Sequence, residues 1–394
     1  MSRTAAVAVD GGDLTLGGGL LAILRPALEL VAPDGVVALR SSSASVRHDL
    51  PSWCRLERHD YLGCEAQADG SDVHFIGRGS FGVPHDSDGA ADEADPHSGF
   101  APAGARIERG GPRYPFTLNR RQAVSPAQAT RQLYDQAIAA QWDAGRDLPW
   151  DRVQPLSPPV ERAIGQVMTF LAENELSALY VPSKFVARMH PAYAETAMFL
   201  ATQMMDESRH IDVFLRRARV AGGRLGVSSV TTSRSLLSLL ELEDFTEAAF
   251  LLSVLGEGTF LDLLRYLERY APDELTTEIA RRTRADESRH VHFGVMHIRD
   301  ALERDATLAR RLEETVRRRA ATLYGVGGVP APIQDALTIV AAGSDAPAAV
   351  ARGHEAFREL LSEMHEGRLK RLAKAGFTSE QATLLSELHT PNFM

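Results

Sequence analysis

Asp206-Glu207-Ser208-Arg209-His210 recurs without change as Asp286-Glu287-Ser288-Arg289-His290, 80 residues later, and each copy lies well inside a stretch that reads as a long helix. Glu and His three residues apart sit about 60° apart around a helix, so a carboxylate oxygen and an imidazole nitrogen aim at one point. Two such helices facing each other supply two Glu and two His. A pair of divalent metals roughly 3.5–4 Å apart also needs carboxylates from the other helices of a bundle. The preceding helices offer them. Glu257 stands between Gly256 and Gly258 in an otherwise apolar stretch, 250–264, where a lone carboxylate is costly unless paired or metal-bound. In the earlier helix both Glu173 and Glu175 qualify. Glu175 lies 32 residues before Glu207 and Glu257 lies 30 before Glu287, so matched heights in two hairpins favour Glu175; Glu173, at 34, is the alternative.

Outward from these motifs, helix signals dominate from Ser125 onward. Ser125-Pro126 and Ser157-Pro158 each place a capping residue before a proline suited to the first turn. The spacing predicts long helices at about 158–188, 191–221, 243–270 and 273–303, with turns at His190-Pro191, Gly222-Gly223 and Ala271-Pro272-Asp273. Four helices of that length make a bundle. Shorter helices are expected at about 305–323, 347–373 and 378–388, after a Gly/Pro break at 325–332. Before the bundle, strands near 5–9, 35–39, 61–67 and 73–76 alternate with helices near 20–31 and 43–58, a βαβαββ order. Residues 79–113 scatter Asp86, Asp88, Asp92, Glu93 and Asp95 among Gly, Ala, Ser and Pro and read as a solvated linker or mobile loop. The expected organisation is an α/β domain over 1–80, a linker over 81–120, the bundle over 121–330 and a helical extension over 331–394. The fold class is mainly α.

Composition narrows the function. With 394 residues, 44% hydrophobic, a buried core is assured, and Cys54 and Cys64, the 2 cysteines, make neither a disulfide framework nor a four-cysteine zinc site. A reducing, cytoplasmic setting fits that usage. The stretch 20–32 carries Arg25 and Glu29, so no membrane span is expected. A net charge of −9 argues against a nucleic-acid partner, and Arg317-Arg318-Arg319 reads as a solvated helix face. Asp206/Arg209 and Asp286/Arg289 alone would be surface ion pairs, but their repetition beside both histidines reverses that reading. His297 reads as a hydrogen-bonded interior histidine, and Met204 and Met205 as core.

On these residues the stretch 160–303 resembles the ferritin-like di-iron carboxylate superfamily, whose pattern is Glu, then Glu-x-x-His, twice over four helices. The resemblance implies a ferritin-like four-helix bundle with Glu175, Glu207, His210, Glu257, Glu287 and His290 holding two iron ions, manganese or a mixed Mn/Fe pair being alternatives. In oxygen-activating members an Asp before the motif Glu bonds a metal-bound His, with an Arg nearby. Asp206 with Arg209 and Asp286 with Arg289 match that arrangement. The implied activity is O2-dependent oxidation of a small organic substrate, by C–H hydroxylation, desaturation or N-oxygenation. Electrons would come from a reductase, a ferredoxin or the substrate. Rival readings are a ferroxidase on the same ligands, or an adaptor whose bundle is structural. A radical-storing reductase subunit is disfavoured by Phe214, one turn past His210, where that family has tyrosine; Leu261 likewise stands where multicomponent hydroxylases have threonine.

Residues 4–78, with the segment 46–54 after a strand, resemble the TusA-like sulfur carriers. That family carries sulfur on a cysteine in a Cys-Pro-x-Pro turn. The corresponding stretch here is Leu14-Thr15-Leu16-Gly17-Gly18-Gly19-Leu20, so the sulfur chemistry is not implied, and a docking, dimerising or lid module remains, a homodimer being one outcome.

Overall fold

The computed structural model describes residues 4–79, 92–93, 99–102, 104–107, 113, 127–189, 193–323 and 329–389. The chain forms two compact units, Met1–Tyr114 and Pro115–Met394. The Ser125-Pro126 cap, the His190-Pro191 turn, part of the 325–332 break, and Asp86, Asp88 and Asp95 of the expected linker lie outside the described residues.

In the first unit, β1 (Val7–Asp10), α1 (Leu21–Glu29), β2 (Val36–Ser41), α2 (Val46–Leu56), β3 (Asp60–Ala66) and β4 (Asp72–Gly77) follow the expected order. The sheet runs β1-β2-β4-β3, with β1 and β2 parallel and the other pairs antiparallel. Parallel neighbours need a crossover, and α1 supplies it. Inward residues Val37, Leu39 and Ile76 meet Leu20, Leu24, Leu28, Leu50 and Cys54 in one core. The register slips between Tyr61 and Gly63, where Gly63 takes φ 109°, a bulge that glycine accommodates. Burial pushes the Cys54 thiol up to about 12, which leaves no thiolate for chemistry. Inside the stretch that reads as linker, β5 (Asp92–Glu93) pairs antiparallel with β6 (Arg106–Ile107).

Among the described residues the regular elements of the second unit are helices: α3 (Ala127–Ala139), α4 (Pro158–Val186), α5 (Ala194–Arg219), α6 (Val230–Leu240), α7 (Phe245–Ala249), α8 (Gly258–Tyr270), α9 (Glu274–Arg304), α10 (Leu308–Thr322), α11 (Ala331–Ala342), α12 (Pro347–Lys374) and α13 (Ser379–His389). Sequence spacing misses α6 and α11, and it reads 243–270 as one α-helix. Instead Phe250–Glu257 is a π-helix joining α7 to α8. Such wider turns are uncommon and concentrate at functional sites. The four-helix bundle is α4, α5, α7-π-α8 and α9, with α4 packed on α5, α5 on α9, and α8 on α9. Helix α11 packs on α4, and α12 on α8.

Fully buried Phe185, Phe199, Phe214, Phe250 and Phe293 anchor the core, each contributing about 1.5–3 kcal/mol by burial. One end of the bundle is held by Arg217, which is fully buried and donates to Glu161 on α4 at 2.7 Å, and to Asp273 at 2.9 Å and Thr276 at 2.7 Å at the start of α9. Asp273 also caps α9 by accepting from the Thr276 amide. Three helices are thereby fixed in height where the ligand offsets require it. Met205, read as core, is 59% exposed: it sits on the outer face of α5, opposite the buried Asp206 and Glu207.

Candidate metal centre

Four helices bring the predicted carboxylates and imidazoles together. Glu175, Glu207, His210 and Glu287 form one group, and Glu207, Glu257, Glu287 and His290 another, each with ligand atoms within 4.8 Å of one another. Glu207 and Glu287 belong to both groups and so lie between two candidate metal positions, with Glu175 and Glu257 at the outer ends. Glu173 is half-buried and takes no part.

The π-helix gives Glu257 its place. Gly294 on α9 admits the π segment, since a Cβ there would come within 2.5 Å of Ser253. Gln203, one turn before Glu207, donates to Glu257 Oε1 at 2.8 Å and fixes its carboxylate. Gln203 is 1% exposed, and a polar side chain on the ligand face was the sequence signal for it.

Each histidine turns Nδ1 inward. His210 Nδ1 lies 3.0 Å from Glu207 Oε2, 3.3 Å from Glu287 Oε1 and 3.6 Å from Glu175 Oε1. His290 Nδ1 lies 3.0 Å from Glu207 Oε1 and 3.3 Å from Glu287 Oε2. The outer nitrogens pair across helices: His210 Nε2 with Asp286 Oδ2 at 3.1 Å, and His290 Nε2 with Asp206 Oδ2 at 3.3 Å. Each motif's Asp thus serves the other motif's His. Arg209 donates to Asp206 and, at 3.2 Å, to Asp286; Arg289 donates to Asp286 and, at 3.2 Å, to Asp206. The repeated pentapeptide builds a nearly two-fold network behind the two histidines.

Two residues before the bundle break that symmetry. Trp142 Nε1 donates to Asp286 Oδ2 at 2.8 Å, the oxygen that also serves His210. Gln141 donates to Asp206 at 3.1 Å and accepts from Arg209 at 2.7 Å, while the Arg209 guanidinium lies 4.7 Å from the Trp142 ring. Sequence reasoning missed both, for they sit in the turn after α3, 144 residues from Asp286. Trp142→Phe removes one donor and leaves the aromatic volume. We expect it to cost about 1–3 kcal/mol of stability and to weaken metal loading by roughly 10-fold, read by thermal unfolding and by metal titration. Loading indistinguishable from the parent protein would show that the indole is packing alone.

Charge in the cluster is arranged for cations. Burial, then the charges of Glu287 and Glu207, raise Glu175 well above the usual carboxylate range; burial and Glu287 do the same to Glu257. Burial opposes the charge on Glu207, yet His290 and His210 hold it below the ordinary range. Burial likewise opposes charge on His210 and His290, but the surrounding carboxylates raise both well above normal. Protons on Glu175, Glu257 and the imidazoles therefore occupy the places that metal cations would take. Glu175 Oε1 and Glu257 Oε2 are buried with no hydrogen-bond partner, as expected of oxygens meant for a cation. The residues fit a pair of metals, and mixed carboxylate–imidazole donors suit iron or manganese.

A pH dependence follows. Four groups with raised folded pKa values stabilise the metal-free fold below their unfolded pKa values and lose that contribution as pH rises through the folded ones. The metal-free protein should lose thermal stability as pH rises above the ordinary carboxylate and imidazole values, and the metal-loaded protein should lose much less. Loading should release about two to four protons per metal pair, measured by calorimetry in buffers of different ionisation enthalpy. Proton-neutral loading would contradict this charge arrangement.

Fold and cluster together define a class: a ferritin-like helical bundle with a buried carboxylate–histidine cluster suited to two metals. Among solved structures, a variant of an R2-like ligand-binding oxidase with an anaerobically reconstituted Mn/Fe cofactor has a TM-score of 0.50 and 17% identity, over 62% of this chain and 92% of its own. A second such variant, with an aerobically reconstituted Mn/Fe cofactor, gives 0.49 at 18% identity over 62% and 93%. A third, with an Fe/Fe cofactor, gives 0.49 at 17% over 62% and 92%. The first of these likenesses supports a shared fold. No family model and no curated protein matches the chain.

Proposed function

We propose that this chain is a non-haem oxidoreductase that holds two iron ions, or manganese in one or both places, and activates O2 to oxidise a small organic substrate. The observation that carries the reading is the pair of ligand groups sharing Glu207 and Glu287, each backed by an Asp from the opposite helix. Glu175, Glu207 and His210 would hold one metal and Glu257, Glu287 and His290 the other, with Glu207 and Glu287 spanning both. Bound there, a redox metal pair supplies electrons to O2. The chain's own residues set the stage: Asp286 and Asp206 hold the Nε2 protons of His210 and His290, which keeps Nδ1 free for coordination. Arg209, Arg289 and Trp142 fix those carboxylates, and Phe199, Phe214 and Phe293 exclude water.

Hydroxylation, desaturation and N-oxygenation all fall within this chemistry. A reductase or ferredoxin is the expected electron donor, and the cytoplasm the expected setting. No described helix is long and apolar enough to cross a membrane. For the first unit we read a TusA-like module without the family's cysteine, a reading supported by its βαβαββ order and by the absence of a thiol in 14–20. The test is O2 uptake by the ferrous-loaded protein with candidate substrates. Uptake that no substrate alters, or a single bound zinc, would overturn the proposal.

A further inference from the structure

The two ends of the Glu/His cluster are built differently. At one end Glu257 closes the π-helix, and two side chains outside both ligand groups hold its carboxylate. Gln203 on α5 donates to Oε1 at 2.8 Å, and Ser253, one turn earlier on the π-helix, hydrogen-bonds the same carboxylate. An amide oxygen facing a carboxylate would repel it, so Gln203 presents its N–H. The other oxygen, Oε2, is buried without a hydrogen-bond partner and is the one left to meet a cation. At the opposite end Glu175 lies within α4, and among the described residues its polar neighbours are themselves ligands. Glu207 hydrogen-bonds it, and His210 Nδ1 lies 3.6 Å from Oε1, which has no hydrogen-bond partner.

This difference does not arise behind the histidines. Asp286 accepts from His210, Trp142, Arg209 and Arg289, and Asp206 accepts from His290, Gln141, Arg209 and Arg289, so the two carboxylates carry the same number of donors. It lies in the glutamates. A ligand held by bonds that survive metal binding loses little freedom when the metal arrives. Gln203 and Ser253 do not have to let go of Glu257. A ligand whose hydrogen bond runs to another ligand must give that bond up and then be ordered by the metal itself. Glu207 has to release Glu175 as it turns to the cations it would share.

We propose that the two metal positions are unequal and fill in order, Glu257/His290 before Glu175/His210, and that Gln203 is the positioning residue that sets the order. This rests on the two-metal reading of the cluster and not on the oxidation of any substrate. The test is titration of the metal-free full chain with Mn(II), followed by calorimetry and by electron paramagnetic resonance, in which an isolated Mn(II) ion and a neighbouring pair give different signals. The first equivalent should bind roughly 10-fold or more tightly than the second and give the isolated-ion signal, which the second equivalent converts to that of a pair. Glu175→Ala should keep the tight equivalent, and Glu257→Ala only the weak one. Gln203→Met is similar in size but lacks the donor. It should weaken the first equivalent by about 10-fold or more, leave the second unchanged, and bring the pair signal forward into the first equivalent, whereas lost packing alone would weaken both. Gln203→Leu gives the same comparison should that variant fail to fold. A pair signal from the first addition in the parent chain, or a tighter ion in Glu257→Ala than in Glu175→Ala, overturns the order. A first equivalent unchanged in the Gln203 variants overturns the part given to Gln203. A parent chain that takes up one equivalent or none overturns the two-metal reading and this proposal with it, a result distinct from two equivalents bound in the wrong order.

Discussion

Replacing Glu287 by alanine is expected to strip both metal ions from the protein, whereas Glu175→Ala should cost it one. Glu287 stands in both ligand groups and Glu175 in the first alone. Losing a residue that merely hydrogen-bonds a ligand costs about 10- to 100-fold in metal affinity, and losing a ligand costs more. For Glu287 that loss falls on both positions. Glu207→Ala should behave like Glu287→Ala, and Glu257→Ala like Glu175→Ala. His290→Ala should empty the position it shares with Glu257. Elemental analysis of desalted protein, expressed with iron or manganese, reads these outcomes directly. A metal at 100 times its Kd adds about 2.7 kcal/mol to stability, so thermal unfolding should rank the variants in the same order. If Glu287→Ala retains a full metal complement, the shared-carboxylate arrangement is wrong.

Much of this centre is legible in the sequence because its chemistry is local to single helices. Glu and His at i and i+3 must share a face, so the two pentapeptides declare four ligands without any knowledge of packing. Glu257 is legible because an isolated carboxylate among leucines needs a cation. Geometry between helices is not legible. The crossed pairs, His210 with Asp286 and His290 with Asp206, depend on how α5 and α9 face each other, and i,i+3 spacing is silent on that. Trp142 and Gln141 approach from a turn whose own composition announces nothing. The π-helix has the same apolar composition as the α-helix expected there. Arg319 was misread because charge patterning sees a run of three and not the rotation of 100° per residue that turns the last one inward. The long helices α4, α5 and α9 are legible from their spacing, whereas α6, behind a serine- and threonine-rich approach, and α11 are not.

The last expected result separates oxidation of a substrate from the handling of iron. A ferroxidase must pass each ferric ion on, so its site has to release metal and take up fresh ferrous iron many times per chain. Ligands suited to that duty can move. Here both histidines are held at Nε2 by carboxylates that are themselves held by Arg209 and Arg289, and Asp286 is further fixed by Trp142. Asp206 and Asp286 are 0% and 1% exposed, and outer partners this rigid slow ligand exchange. We therefore expect ferrous-loaded protein mixed with O2 to consume it in rough proportion to protein, and to keep about two iron ions per chain after desalting. A suitable substrate should then sustain O2 uptake when a reductant is supplied. The contrary observation is many ferrous ions oxidised per chain without substrate, accumulating as mineral. That would make the centre an iron-handling site, and the rigidity of the Asp–His pairs would then need another explanation. Asp286→Asn offers an internal control. It weakens the hold on His210 while sparing every ligand, so in an oxygenase it should raise iron loss per turnover by about 10-fold or more, and in a ferroxidase it should leave mineral formation intact.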